Sequence, residues 1–461
     1  MMDRRNFIGN CAFLLAGYQL GAKELTIMQT KLNITGVRSG FEREPLRFPF
    51  GFKGAFLTEL WQNIAVVEAE DGAFGLGLGT QSVLYGDAEA FAATDETTGN
   101  RWMLRLSEIA LDWLVGQSFD SPIDAMDRLA PWLHQEGKKL TGRADLHINF
   151  VYNALVSVDN ALWMLYAKVQ QAQHFKQLIP SPYNAAFRAE NKRIAVMFQI
   201  SYTMPLSDVK AAVEAGYFVF KIKTGSPGDQ ASMLKQDKER LSEIHQAIGA
   251  VKPAHRRIYY TMDANGRYQS KAVLLEYLDY AKAIGAFDAI LLYEEPFVEE
   301  NSEDVSDLGV LIAADESIHS PEDARRKIEL GYGAFVLKGI AKTLSLTVQI
   351  AQVAAEHDIP CLCSDLTVNP ILIDWNKLIA ATLPPFPGLD MGMMETNGDM
   401  NYQNWEEMIE KHPFSGAAWT RVEAGMFHLD RSFFKHMGGI ATAAPFYKKK
   451  MQLDGFTKTD V

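Results

Sequence analysis

The sequence predicts an α/β fold: a TIM-type β/α barrel of about eight parallel strands with an N-terminal α+β capping domain and a C-terminal segment packing back on the cap. Three observations carry this. Between residues 190 and 398, short apolar runs rich in β-branched and aromatic residues alternate with helix-length segments, the texture of a parallel sheet. Eight such runs fit into roughly two hundred residues, which is what a closed barrel requires. No Gly-x-Gly-x-x-Gly follows any of them, which counts against an open doubly wound sheet.

A chain of 461 residues, 48% hydrophobic and 22% charged, can bury a large core and hold two domains. Its formal net charge of -12 argues against general affinity for nucleic acid or an anionic membrane, so an anionic substrate has to be held by local cations. Cys11, Cys361 and Cys363 are too few for a disulfide framework, and the last two read as small buried hydrophobes.

Taken in order, the chain begins with Asp3-Arg4-Arg5-Asn6-Phe7-Ile8 and an apolar stretch over 11–17, which resembles a twin-arginine export signal. Residues 1–22 are therefore expected to be a leader and the protein to be periplasmic or otherwise exported, or cytoplasmic if the signal is not used. The apolar stretch is too short to span a bilayer, and no other segment approaches the ~20 apolar residues that spanning needs. Stable membrane insertion is not expected.

From 25 to about 79 the pattern is strand-like, with Asp71-Gly72 marking a hairpin turn, and 88–168 reads as helices. Together these make a capping domain over 25–180. Between its first strands lies Arg47-Phe48-Pro49-Phe50-Gly51-Phe52-Lys53-Gly54, whose aromatics and two cations suit either a loop that closes over a ligand or a plain connection. Barrel strands are expected over 194–201, 217–223, 257–263, 289–294, 309–315, 334–338, 360–364 and 389–395. Residues 399–461 leave the pattern, and their aromatics point to packing against the N-terminal domain.

The strand ends carry the chemistry. Phe218-Val219-Phe220-Lys221-Ile222-Lys223 ends in two lysines two positions apart, which share a strand face. The next three strands end in Asp263, Glu294 and Asp315, and the sixth ends in Lys338. Charges removed from water are costly unless paired or metal-bound, so three carboxylates on one rim invite a divalent cation. With oxygen ligands only, Mg²⁺ suits the site, Mn²⁺ is possible and Zn²⁺ is disfavoured. Asn265, on the same face as Asp263, is positioned to support it. Glu295 and Glu316 are expected on the opposite face and Lys342 on the surface. Two lysine stations then face each other across a metal.

Lys-x-Lys, Asp-x-Asn, Glu-Glu-Pro and Asp-Glu-Ser strand ends, with a lysine closing the sixth strand, resemble the enolase superfamily, and within it the muconate-lactonizing subgroup, over roughly 32–395. The resemblance implies Asp263, Glu294 and Asp315 as Mg²⁺ ligands, Lys223 and Lys338 as acid/base catalysts, Lys221 as the helper of Lys223, and the 47–54 loop as a specificity lid. Such a site takes a small carboxylate and abstracts its α-proton. The simplest outcome is racemisation or epimerisation of an amino acid derivative or dipeptide; dehydration and cycloisomerisation share the same first step, and a non-catalytic carboxylate-binding relative is the other class. Enolase-superfamily sites are themselves a worked example of Lys or His bases acting with Mg²⁺.

For recognition of the substrate the candidates are Arg47, Lys53, Asp365, Asp390 and Glu395. Dipeptide epimerases resemble one another in an Asp-x-Asp on the eighth strand, and Asp390-Met391-Gly392 keeps only the first of the pair. Expected partners are a small-molecule carboxylate and neither nucleic acid nor a bilayer, with assembly into a homo-oligomer left open.

Overall fold

The computed structural model describes residues 31–52, 55–251 and 257–452. The twin-arginine stretch and Lys53 lie outside them. Strands β1 (Leu32–Phe52), β2 (Ala55–Ala69), β3 (Phe74–Gln81) and β4 (Ser118–Phe119) form an antiparallel sheet in the order β3-β2-β1-β4. β1 and β2 make one long ribbon, paired from Ile34↔Ala69 to Phe52↔Ala55 with an irregularity between Pro45 and Phe50. Against the sheet lies the apolar helix Ile148–Val169. It can approach because β3 alternates Gly75, Gly77 and Gly79 on one face: a Cβ at these positions would meet the helix backbone at 1.8, 2.1 and 2.8 Å. Any larger residue there would push the cap apart.

Eight parallel strands follow: β5 (Arg193–Ile200), β6 (Val219–Lys223), β7 (Tyr259–Asp263), β8 (Ile290–Glu294), β9 (Leu311–Ala314), β10 (Ala334–Leu337), β11 (Cys361–Cys363) and β12 (Gly392–Glu395). Pairing of β12 with β5 closes the barrel. All eight coincide with the expected runs to within two or three residues. Between β8 and β9 a loop replaces the helix. A core of Ala195, Val219, Leu292, Ala313, Val336 and Leu362 fills the barrel, and Phe386 and Leu389 pack against its lower end. Because strand side chains alternate, residues of the same parity further along each strand continue the interior as a polar top layer.

Beyond the barrel, the chain serves both domains. β13 (Met426–His428) pairs antiparallel with β5, while Tyr402 and Gln403 bond to β1 at Leu46 and Pro45. Lys411 and Lys450 reach Glu42 on the same strand, at 3.4 and 2.8 Å. The tail thus packs back on the cap as expected and also adds a strand to the barrel wall. No helix among the described residues is long and apolar enough to cross a membrane.

Candidate active site

The polar layer at the carboxyl ends of the strands brings Lys221, Lys223, Asp263, Glu294, Asp315, Lys338 and Glu395 together. Registers Lys223↔Asp263 and Asp263↔Glu294 set their order. Lys221 is the deeper of the two β6 lysines and is fully buried. Its Nζ lies 3.1 Å from Asp263, 2.8 Å from Glu294 and 3.0 Å from Glu395. Burial alone would depress this ammonium, but Asp263, Glu294 and Glu395 outweigh it and hold it well above the ordinary lysine value. Lys223, one pleat nearer the mouth, keeps 12% of its side chain exposed and donates to Asp263 Oδ2 and to Asn265 Oδ1 at 2.9 Å.

Opposite stands Lys338, which donates to Asp315 Oδ2 and lies 5.1 Å from the centre of the Tyr85 ring. Burial pulls it down and Asp315 and Glu316 lift it well above the ordinary value. Divalent charge on the three acids would oppose this rise and lower both lysines toward the range of a useful base.

The carboxylates fit such an ion. Burial raises Glu294 well above its usual range, and the Asp263 charge adds to it. Asp315 Oδ1 is buried with no hydrogen-bond partner among the described residues. Three buried acids, held between ammonium groups and offering only oxygen donors, suit a hard divalent cation. Asn265 anchors the cluster differently from expectation: its backbone N–H donates to Asp263 Oδ1 at 3.0 Å, and its side chain joins Lys223 to Glu316 Oε1, 3.0 Å from its Nδ2.

Several expectations need correcting. Lys342 is buried, because its ammonium supplies three hydrogen bonds to the carbonyls of Asp315, Glu316 and Ile318 in the loop that follows the acid. Glu316 turns toward Asn265, since the chain has left strand geometry by that point, whereas Glu295 does face away and accepts from Asp315 N–H at 2.6 Å. Asp390 is exposed at the opposite end of the barrel, ahead of β12, whose carboxyl end is Glu395. Arg47 is also exposed, and its Nε donates to the Tyr402 carbonyl at 2.9 Å, away from the pocket.

Asp365 and Glu395 do line the pocket. Glu395 accepts from Lys221 and, at 2.6 Å, from Ser364 Oγ. Asp365 takes the Asn397 and Leu366 N–H groups at 2.8 and 2.7 Å, and burial, then the Glu395 charge, raise its carboxyl to about 7. Phe50, Leu57 and Leu60 of the β1–β2 ribbon close over the site, as does Tyr85 from the short helix Val83–Gly86. What remains is a cavity of about 40 Å³, small beside the ~300 Å³ of an ordinary ligand pocket. Gln199 and Ser364 were not anticipated, although they have the inward parity at the ends of β5 and β11 and the same rule would have found them. Nothing in the local sequence marked Ser82, Tyr85 or Thr367.

The family model described as enolase C-terminal domain-like matches residues 206–417. An o-succinylbenzoate synthase of Bacillus subtilis is 24% identical over 349 residues, 73% of this chain and 79% of that protein. Among solved structures, a mandelate racemase/muconate lactonizing protein of Herpetosiphon aurantiacus superposes with a TM-score of 0.61 at 18% identity, covering 86% of this chain and 96% of that one. A dipeptide epimerase of Enterococcus faecalis V583, solved with Mg and the dipeptide L-Leu-L-Tyr, gives 0.59 at 17% identity and covers 87% and 98%.

Proposed function

We propose that the chain, whose residues 206–417 match the enolase C-terminal domain-like family and whose fold is that of a mandelate racemase/muconate lactonizing protein, is a member of the enolase superfamily that racemises or epimerises a small carboxylate, an amino acid derivative or dipeptide, by moving the α-proton between two lysines. The observation that carries this reading is the placement of Lys223 and Lys338 on opposite sides of the acid rim, each paired with one of its outer carboxylates. Asp263, Glu294 and Asp315 would hold the metal, with Mg²⁺ proposed, and that ion would neutralise the charge that develops on the substrate carboxylate.

Each lysine then has one task at a stated atom. Lys223 Nζ, tethered by Asn265, takes or returns the α-hydrogen on one face of the substrate; Lys338 Nζ does so on the other. Lys221, locked among three carboxylates, is a positioning residue that fixes the rim and adds positive charge beside Lys223. Phe50, Leu57, Leu60 and Tyr85 exclude water from above.

A second reading, a dehydratase using the same proton abstraction, is favoured by the likeness to the o-succinylbenzoate synthase. Incubation of acyl-amino acids and dipeptides in D₂O with Mg²⁺ tests both. Deuterium entering the α-position with the skeleton retained supports racemisation, loss of water supports the dehydratase, and no exchange with any member of a broad library defeats the reaction class.

A further inference from the structure

Away from the acid rim, His147, Glu299 and His319 form a cluster whose donor atoms all lie within 4.8 Å of one another. They come from three segments. His147 caps the cap-domain helix Ile148–Val169; Glu299 lies in the loop leaving β8, and His319 in the loop leaving β9. Glu299 takes one imidazole on each oxygen, His319 Nε2 at 2.8 Å from Oε1 and His147 Nε2 at 3.4 Å from Oε2. His147 and Glu299 border a cavity of about 530 Å³ that extends to Asn265 and Glu316 beside the active site.

Hydrogen positions decide what this cluster can be. His319 Nδ1 sits 3.1 Å from Asn149 Oδ1, an acceptor, so Nδ1 carries the ring hydrogen. In the neutral ring Nε2 then turns a lone pair toward a carboxylate oxygen only 2.8 Å away. Two acceptors so close repel each other unless a proton or a metal ion stands between them.

We propose that His319, Glu299 and His147 form a second divalent-metal site, for a zinc-type ion, that clamps the cap onto the two barrel loops. Two imidazoles and a carboxylate suit zinc, whereas the acid rim suits a hard ion. Ligands at about 2.0–2.1 Å from a tetrahedral ion stand roughly 3.3 Å apart, close to the 2.8 and 3.4 Å that separate Glu299 from the two rings. Asn149 fixes the His319 ring from behind, as outer partners of metal-bound histidines do. His147 is the weaker ligand. Its Nδ1 accepts the Asn149 backbone N–H at 3.2 Å, which leaves the hydrogen on Nε2, so that cap bond must be exchanged before the ring can ligate.

The test uses the full chain stripped with a chelator, then saturated with Mg²⁺ so that the acid rim is filled. Titration with Zn²⁺ by calorimetry should show one further equivalent, with a raised Tm, and Co²⁺ should give visible bands of a low-coordinate histidine site. His319→Ala and Glu299→Gln should weaken binding about 100-fold and His147→Ala about tenfold, in the range set by ligand-shell substitutions, while Mg²⁺-dependent exchange stays unchanged. Absence of a second equivalent in the unaltered protein overturns the proposal, whatever the variants do. So does undiminished Zn²⁺ binding by folded His319→Ala, which would place the ion elsewhere.

Discussion

The half of the pocket proposed to react and the half proposed to recognise the substrate are built by different rules. On the first, the five consecutive barrel strands β6 to β10, joined by β12, deliver side chains of one parity, and those charges satisfy one another: Lys221 with Asp263, Glu294 and Glu395, Lys338 with Asp315. On the second, the walls come from the β1–β2 ribbon, a four-residue helix of the cap and the loops after β11 and β12, and few of their charges meet. Chemistry here is set by a repeating backbone geometry. The proposed selectivity would rest on segments that only the complete fold brings into contact.

Substitutions on the two halves should therefore differ in kind. Lys223→Ala and Lys338→Ala should each slow exchange by roughly 10²–10⁴-fold, the usual contribution of a positioned acid or base, and each should spare one stereoisomer relative to the other. Equal loss from both isomers would break the two-face assignment. Lys221→Met leaves three buried carboxylates without their shared cation and should cost about 3–5 kcal/mol of stability in urea unfolding. Added Mg²⁺ should restore more stability to that variant than to the parent; the reverse order would mean that Lys221 and the ion do not share the rim.

On the recognising half the effects should be smaller and substrate-dependent. Leu57→Ala should change the ratio of kcat/KM between a small and a large side chain by about 10–200-fold, the range for altered apolar contacts, with α-exchange itself intact. Asp365 offers a pH handle. Its folded pKa of about 7 lies above its unfolded value, so the stability of its neutral form is complete below about pH 4 and is lost as pH rises through about 7. Asp365→Asn should be less stable in absolute terms yet show a flatter decline in Tm from pH 5 to 8. Arg47→Ala should change neither rate nor stability by more than roughly 0.5 kcal/mol; a large effect on KM would return Arg47 to the pocket.

The same contrast explains what was legible in the sequence. Parity along an apolar strand identifies an inward residue with no knowledge of its neighbours, so Lys221, Lys223, Asp263, Glu294, Asp315 and Lys338 could be read and then grouped. The rule fails once the chain leaves the strand: Glu316 turns back to Asn265, and Lys342 is drawn inward by three loop carbonyls. Asp390 was misassigned because a motif was matched by residue type, although the strand expected over 389–395 already put its carboxyl end at Glu395. Tyr85 lies in a segment whose sequence is that of any short apolar turn, and its place beside Lys338 depends on how the cap docks.

The late segment Tyr402–His428 has a consequence for the order in which the molecule can be made. β5 carries unpaired backbone groups along Arg193–Ala195 until β13 arrives, and β1 has no partner for Leu46 until Tyr402 is in place. Some 230 residues separate β5 from β13, and more than 350 separate Leu46 from Tyr402. During synthesis both early strands must wait with open edges until nearly the whole chain has left the ribosome. A nascent chain stopped just after the last barrel strand would already contain every proposed acid, base and metal ligand, yet it would expose two strand edges to other chains.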